Sequence, residues 1–165
     1  TSGPHITWQA GTPRGALDFA PRTGERGCYL SSTWASAAAS GLVVRSQRGA
    51  VALDLDGDGD EGSGWVLLYL HLAAEERIPA GTWVEADALL GHPSCEGGVS
   101  TGTHLHIARK YNGEWIPAEG PLPLVLDGWQ AYAGASSYGG WLIRNGKTVV
   151  SSATRDPLSE IQRDR

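Results

Sequence analysis

The stretch Ser100-Thr101-Gly102-Thr103-His104-Leu105-His106-Ile107-Ala108-Arg109-Lys110-Tyr111-Asn112-Gly113 decides what kind of fold this chain builds. Histidines at 104 and 106 alternate with apolar Leu105 and Ile107. Side chains of a strand point to opposite faces in turn, so this pattern predicts a strand over 105–110. Asn112-Gly113 then predicts a hairpin turn, because both residues accept the positive φ of a type I′ turn. On such a strand His104 and His106 share one face, about 7 Å apart along the chain. That placement suits one metal ligand beside one general base. Taken alone, such a pair is more often a polar strand face than a metal site.

Strand signals recur outward from this point. Trp65–Leu72 is a continuous apolar run and predicts a central strand. Further strands are expected at Ala16–Ala20 (stopped by Pro21), Gly41–Ser46, Ala50–Leu55, Ile78–Val84, Ala88–His92 and Glu114–Ile116. Trp141–Arg144 and Lys147–Val150 flank Asn145-Gly146 and predict another hairpin. Apart from the short strand at 16–20, residues 1–27 read as loop, and residues 152–165 as a frayed polar end. The 23 glycines and the lack of any long amphipathic run point to an all-β or β-rich class. The chain has 165 residues, enough for one domain with a sizeable core. A domain over 1–150 with a polar C-terminal tail over 151–165 is expected.

The formal charge of −5 speaks against a nucleic-acid partner, which would demand a basic stripe. No run of about 18 apolar residues predicts a transmembrane segment. The N-terminus, Thr1-Ser2-Gly3-Pro4-His5, has neither the basic region nor the apolar core of a signal peptide. Export would then depend on a segment outside this sequence. The two cysteines, Cys28 and Cys95, are thiols in a reducing compartment and a disulfide in an oxidising one. The seven tryptophans are scattered and mark no carbohydrate platform.

Two more residues bear on the His104/His106 pair. His71 closes the apolar strand in Tyr69-Leu70-His71-Leu72, and its ring is expected on the sheet. Asp18 sits inside apolar Ala16-Leu17-Asp18-Phe19, where a carboxylate is costly unless it is paired or holds a metal. Two histidines, one aspartate and a water would satisfy a tetrahedral zinc ion. A second acidic pattern, Asp54-x-Asp56-x-Asp58-Gly59-Asp60, has the start of a calcium loop. Its twelfth position is Trp65 rather than Glu. A Ca²⁺ site at Asp54, Asp56 and Asp58 therefore stands beside a plain solvated hairpin tip. His92, in Gly91-His92-Pro93, is expected to be structural.

Three blocks together resemble the lysostaphin-type (LytM-like) zinc endopeptidases, β-rich bacterial enzymes that cut peptidoglycan cross-bridges. They are Leu17-Asp18-Phe19-Ala20-Pro21; Tyr69-Leu70-His71-Leu72 with Pro79–Val84 and Leu90-Gly91-His92; and Ser100–His106. Most of that family places its first metal histidine four residues before the aspartate. Here that position is Arg14, which cannot ligate zinc. The staphylolytic and β-lytic subgroup places the histidine thirteen residues before, which is the spacing of His5 and Asp18. Cys95–Gly102 and Lys110–Gly113 are similar to the same subgroup.

The resemblance implies a duplicated-hybrid-motif-like fold, with an antiparallel sheet forming an active-site groove among surrounding loops. It implies zinc held by His5, Asp18 and His106, with His71 and His104 catalytic. It implies a secreted or cell-envelope monomer that hydrolyses bonds near glycine or other small residues by a zinc-activated water. The expected partner is a peptidoglycan peptide or a Gly-rich peptide. Export in turn favours a Cys28–Cys95 disulfide. The subgroup's active-site tyrosine has no counterpart in Pro121–Asp127, which leaves Tyr132 and Tyr138 as candidates. The alternative is a non-catalytic member that binds wall peptide or regulates a wall hydrolase. Arg14 favours that alternative and the His5 spacing opposes it.

Overall fold

The computed structural model describes residues 1–23, 25–152, 154 and 156–162. Its strands, in chain order, are β1(His5–Ile6), β2(Arg14–Phe19), β3(Ala35–Ser36), β4(Gly41–Gln47), β5(Ala50–Asp54), β6(Trp65–Leu70), β7(Trp83–Val84), β8(Leu89–Gly91), β9(Leu105–Tyr111), β10(Glu114–Trp115), β11(Val125–Leu126), β12(Trp129–Ala133), β13(Gly140–Arg144) and β14(Lys147–Val150). One 3₁₀ turn, Pro157–Ser159, is the single helical element among the described residues. The all-β antiparallel expectation is therefore met. The chain divides into two compact units, one of residues 1–19 and 115–165, the other of residues 20–114.

In the 20–114 unit the strands run in the order β9-β6-β5-β4-β7. The pairings β4–β5, β5–β6, β6–β9 and β4–β7 are all antiparallel. β6 lies between β5 and β9, the central position its apolar run predicts. β5 is buried along its whole length. Val43, Val51, Leu53, Val66, Leu68, Tyr69, Leu72 and Leu90 form the core. The Tyr69 hydroxyl accepts the Ala38 N–H at 2.8 Å, and burial pushes its pKa up to about 12. Asn112 and Gly113 both take positive φ, as the turn after β9 requires. Cys28 and Cys95 form a disulfide.

The acidic loop between β5 and β6 does not support the calcium expectation. The buried Asp54 carboxylate accepts the backbone N–H groups of Asp56, Gly57 and Gly59. Asp58 accepts the Asp60 N–H and the Ser63 hydroxyl, which hold its pKa below the ordinary carboxylate range. Asp60 accepts the Gly62 N–H. The oxygens that a cation would need instead cap the loop's own backbone, as Asx turns do. Asp54, Asp56 and Asp58 do lie within ligating reach of one another, but with Trp65 at the twelfth position and the carboxylates capping the backbone the loop reads as a self-capped hairpin tip.

The other unit begins with β1 paired to β2 across a bulge, with His5 opposite Ala16 and Ile6 opposite Arg14. β11, β12, β13 and β14 form an antiparallel meander in sequence order. Both of its tight hairpins turn on a residue pair at positive φ, Asp127-Gly128 and Asn145-Gly146. The first of these was not expected, although Asp-Gly is a strong type I′ signal. Leu17, Ala118, Trp129, Ala131 and Leu142 are fully buried here. The described part of the chain end is not frayed. The Thr1 ammonium donates to the Ser159 carbonyl at 2.7 Å, and the Arg144 guanidinium and Trp129 indole both donate to Gln162 O.

Candidate metal centre and active site

The unit of residues 1–19 and 115–165 supplies two of the expected ligands. His5 is buried on β1, and Asp18 lies near the end of β2. The His5 Nε2 stands 3.2 Å from Asp18 Oδ1. His5 Nδ1 lies 3.2 Å from the Gly3 carbonyl, which turns the Nε2 edge of the ring toward the carboxylate. Two donors about 2.1 Å from one tetrahedral zinc stand about 3.4 Å apart, close to the spacing found. The Asp18 main chain is pinned by Ser2, whose hydroxyl accepts the Asp18 N–H and whose N–H donates to Asp18 O.

Tyr138 completes this half. Its ring stacks on His5 with centroids 4.3 Å apart and 21° between planes. It is 41% exposed, so its edge can face a bound molecule. Burial first, and then the Asp18 charge, hold its hydroxyl above the ordinary phenol range. The phenol therefore stays protonated and able to donate. Tyr132, the other candidate, packs against Trp141 instead. No periodic pattern predicted Tyr138 here, because it sits in a turn at positive φ.

The 20–114 unit supplies the three other histidines expected at the site. His71 lies one residue past β6, at φ +68, rather than on the sheet as expected. A residue other than glycine in that region is uncommon and carries some strain. The turn aims its buried ring at its neighbours, with His104 at 4.4 Å and His106 at 6.3 Å between centroids. His71 Nδ1 donates to the Glu96 carbonyl at 2.8 Å, and His104 Nδ1 to the Gly102 carbonyl at 2.7 Å. His106 is buried on β9 opposite Leu70. Ser94 holds two of these segments at once: its N–H donates to His71 O, and its carbonyl accepts the His104 N–H.

Residue types that can hold a metal ion stand in both units, His5 and Asp18 in the first and His106 in the second. The chemistry of the set, two imidazoles and one carboxylate, suits zinc with an open coordination position.

Comparison with solved structures gives the fold. A deep-sea M23 metalloprotease, pseudoalterin, superposes with a TM-score of 0.72 over 91% of this chain and 87% of its own, at 24% identity. The chain carries the M23 metallopeptidase fold. Among curated proteins, protease LasA of Pseudomonas aeruginosa is 38% identical over 65 residues, 35% of this chain and 15% of LasA. The β-lytic metalloendopeptidase of Achromobacter lyticus is 29% identical over 144 residues, 82% of this chain and 36% of that enzyme. The chain thus spans only about a seventh to a third of these relatives. No protein-family model matches it. The resemblance to staphylolytic and β-lytic M23 peptidases rests on these likenesses together with the motifs.

Two residues acquire definite places within this M23 fold. His92 is structural: it lies against Trp34, with Nδ1 on the Thr33 carbonyl and Nε2 on Glu76. Arg14, at the usual ligand position of the wider family, is a clamp. Its guanidinium donates to the carbonyls of Pro4, Gly134 and Ser136.

Proposed function

We propose that this chain is a secreted zinc metalloendopeptidase that hydrolyses peptide bonds near glycine or other small residues, with peptidoglycan cross-bridge peptides as its substrates. Residues 1–150 would form the peptidase and 151–165 a short polar extension. His5, Asp18 and His106 would hold the zinc. The observation that carries this reading is the shared ring orientation of the site histidines. His5, His71 and His104 each direct Nδ1 to a main-chain carbonyl, which turns the Nε2 edge of each ring the other way. Metal-binding and proton-accepting histidines need that arrangement, with an outer hydrogen bond fixing ring and tautomer. Arg14 no longer favours a non-catalytic member, because it has a structural task of its own.

A zinc ion bound by the three ligands supplies Lewis acidity, polarising the scissile carbonyl and making water acidic. The rest follows from the chain's own residues. His104, its ring set by the Gly102 carbonyl, takes the proton of the attacking water. His71, anchored through Glu96, orients that water, and the proton that His104 takes up passes to the leaving amine. Tyr138 donates its phenol hydrogen to the developing negative charge. The names of the relatives, a protease and a metalloendopeptidase, support this reading. The test is hydrolysis of a glycine-rich peptide by purified protein, with chelator and zinc added in turn. Cleavage that chelation stops and zinc restores is expected. A zinc-loaded protein that binds the peptide without cutting it would establish the non-catalytic alternative.

A further inference from the structure

We infer that Arg14 is a positioning residue that sets the His5–Tyr138 pair by clamping the 134–139 loop to the start of the chain. This inference rests on the proposed peptidase reading. Three observations within one unit meet at Arg14. First, one guanidinium spans three carbonyls from two segments: Pro4 at 3.1 Å, Gly134 at 2.9 Å and Ser136 at 2.6 Å. Pro4 immediately precedes His5, and Ser136 lies two residues before Tyr138. The planar fork of Arg can hold three acceptors at fixed angles, and the point charge of Lys cannot.

Second, Tyr138 is held in a conformation it would not choose. Its φ is +66, a region that costs a residue other than glycine of order 1 kcal/mol or more. Its carbonyl accepts the Gly3 N–H at 2.8 Å, so the strained peptide is tied to the residue whose carbonyl holds the His5 ring. Third, the two segments approach without side chains between them. A methyl at Gly3 would run into the Gly139 carbonyl, and one at Gly140 would press on the Pro4 ring at 3.2 Å. The β12–β13 ladder closes this loop on itself, and the Arg14 clamp and the Gly3 N–H tie it to the start of the chain. The position that ligates metal in most of the family has thus become the bracket for a ligand and a phenol.

The experiment compares wild type with Arg14→Ala and Arg14→Lys, using three readouts. The nuclear Overhauser contact between the Tyr138 and His5 rings reports the geometry. Hydrolysis of a glycine-rich peptide reports kcat and KM. Sub-denaturing guanidinium chloride, against sodium chloride and urea controls, reports rescue. We expect Arg14→Ala to lose the ring contact and to lower kcat by on the order of 10²-fold with KM little changed, as for a misplaced catalytic group. Guanidinium restores both by refilling the clamp. Arg14→Lys, which restores charge without the fork, stays well below wild type in both readouts. If Arg14→Ala does not fold, Arg14→Lys carries the same test. A folded variant that keeps the ring contact, or loses activity without guanidinium rescue, overturns the inference. If wild type shows the ring contact but cleaves nothing, the peptidase reading fails, while Arg14 is still judged by the contact and its rescue.

Discussion

Removing the Cys28–Cys95 bridge as Cys28→Ser/Cys95→Ser perturbs stability and site together. The bridge closes 67 residues of sequence separation. The chain-entropy relation gives about 15 cal/mol/K for a loop of that length, or about 4 kcal/mol at 25 °C. For a chain of this size the loss corresponds to a melting temperature lower by about 8–16 °C. The catalytic effect follows from the bridge's neighbours. Cys95 lies between Ser94, whose main chain pairs with both His71 and His104, and Glu96, whose carbonyl holds the His71 ring. On the other side, Gly27 O accepts the Thr103 N–H, and the Thr103 hydroxyl accepts the Tyr29 N–H, next to His104. Equilibrium urea unfolding of both proteins, with peptide hydrolysis measured well below the transition, reads both effects. We expect a loss near 4 kcal/mol and a fall in kcat. A loss under about 1 kcal/mol at unchanged m-value would refute the entropic estimate. Unchanged kcat would refute the coupling to the histidines.

Three further outcomes follow. His104→Ala should keep the metal and lose on the order of 10²–10⁴-fold in kcat, the contribution of a general base; metal analysis beside the assay checks it, and loss of metal contradicts the assigned role. Tyr69 should weaken the fold in alkali. Its folded pKa of about 12 exceeds the ordinary 10, so between those values the unfolded chain releases a proton that the folded chain keeps. Stability then falls as pH rises through that window, by roughly 2–3 kcal/mol at its upper end, and Tyr69→Phe should lack this slope in pH-dependent urea unfolding. Calcium should leave the melting temperature unchanged, since the Asp54 carboxylate already caps three N–H groups; a concentration-dependent rise would revive the calcium loop.

The sequence was most legible where local pattern and tertiary demand agree. Alternation around His104 and His106 places β9, and the apolar run at 65–70 places β6. The turn chemistry of Asn112-Gly113 and Asn145-Gly146 marks two hairpins. Asp18 stood out because a carboxylate in an apolar strand needs a partner, and it has one in His5. β1 was not legible, since two residues carry no period and its place depends on pairing with β2. The Tyr138 loop was hidden for a related reason. It is held by backbone carbonyls, glycines and a positive φ, and side-chain hydropathy reports none of these. The calcium expectation failed because spacing shows where carboxylates lie but not what they already accept.

The central claim is tested most directly by zinc content, measured by elemental analysis of wild type and His5→Ala after identical zinc reconstitution and dialysis. The account predicts one zinc per wild-type chain and a sharp loss in the folded variant. Zinc-free wild type, or a variant that keeps its zinc, would contradict the assignment of His5, Asp18 and His106 as the metal centre.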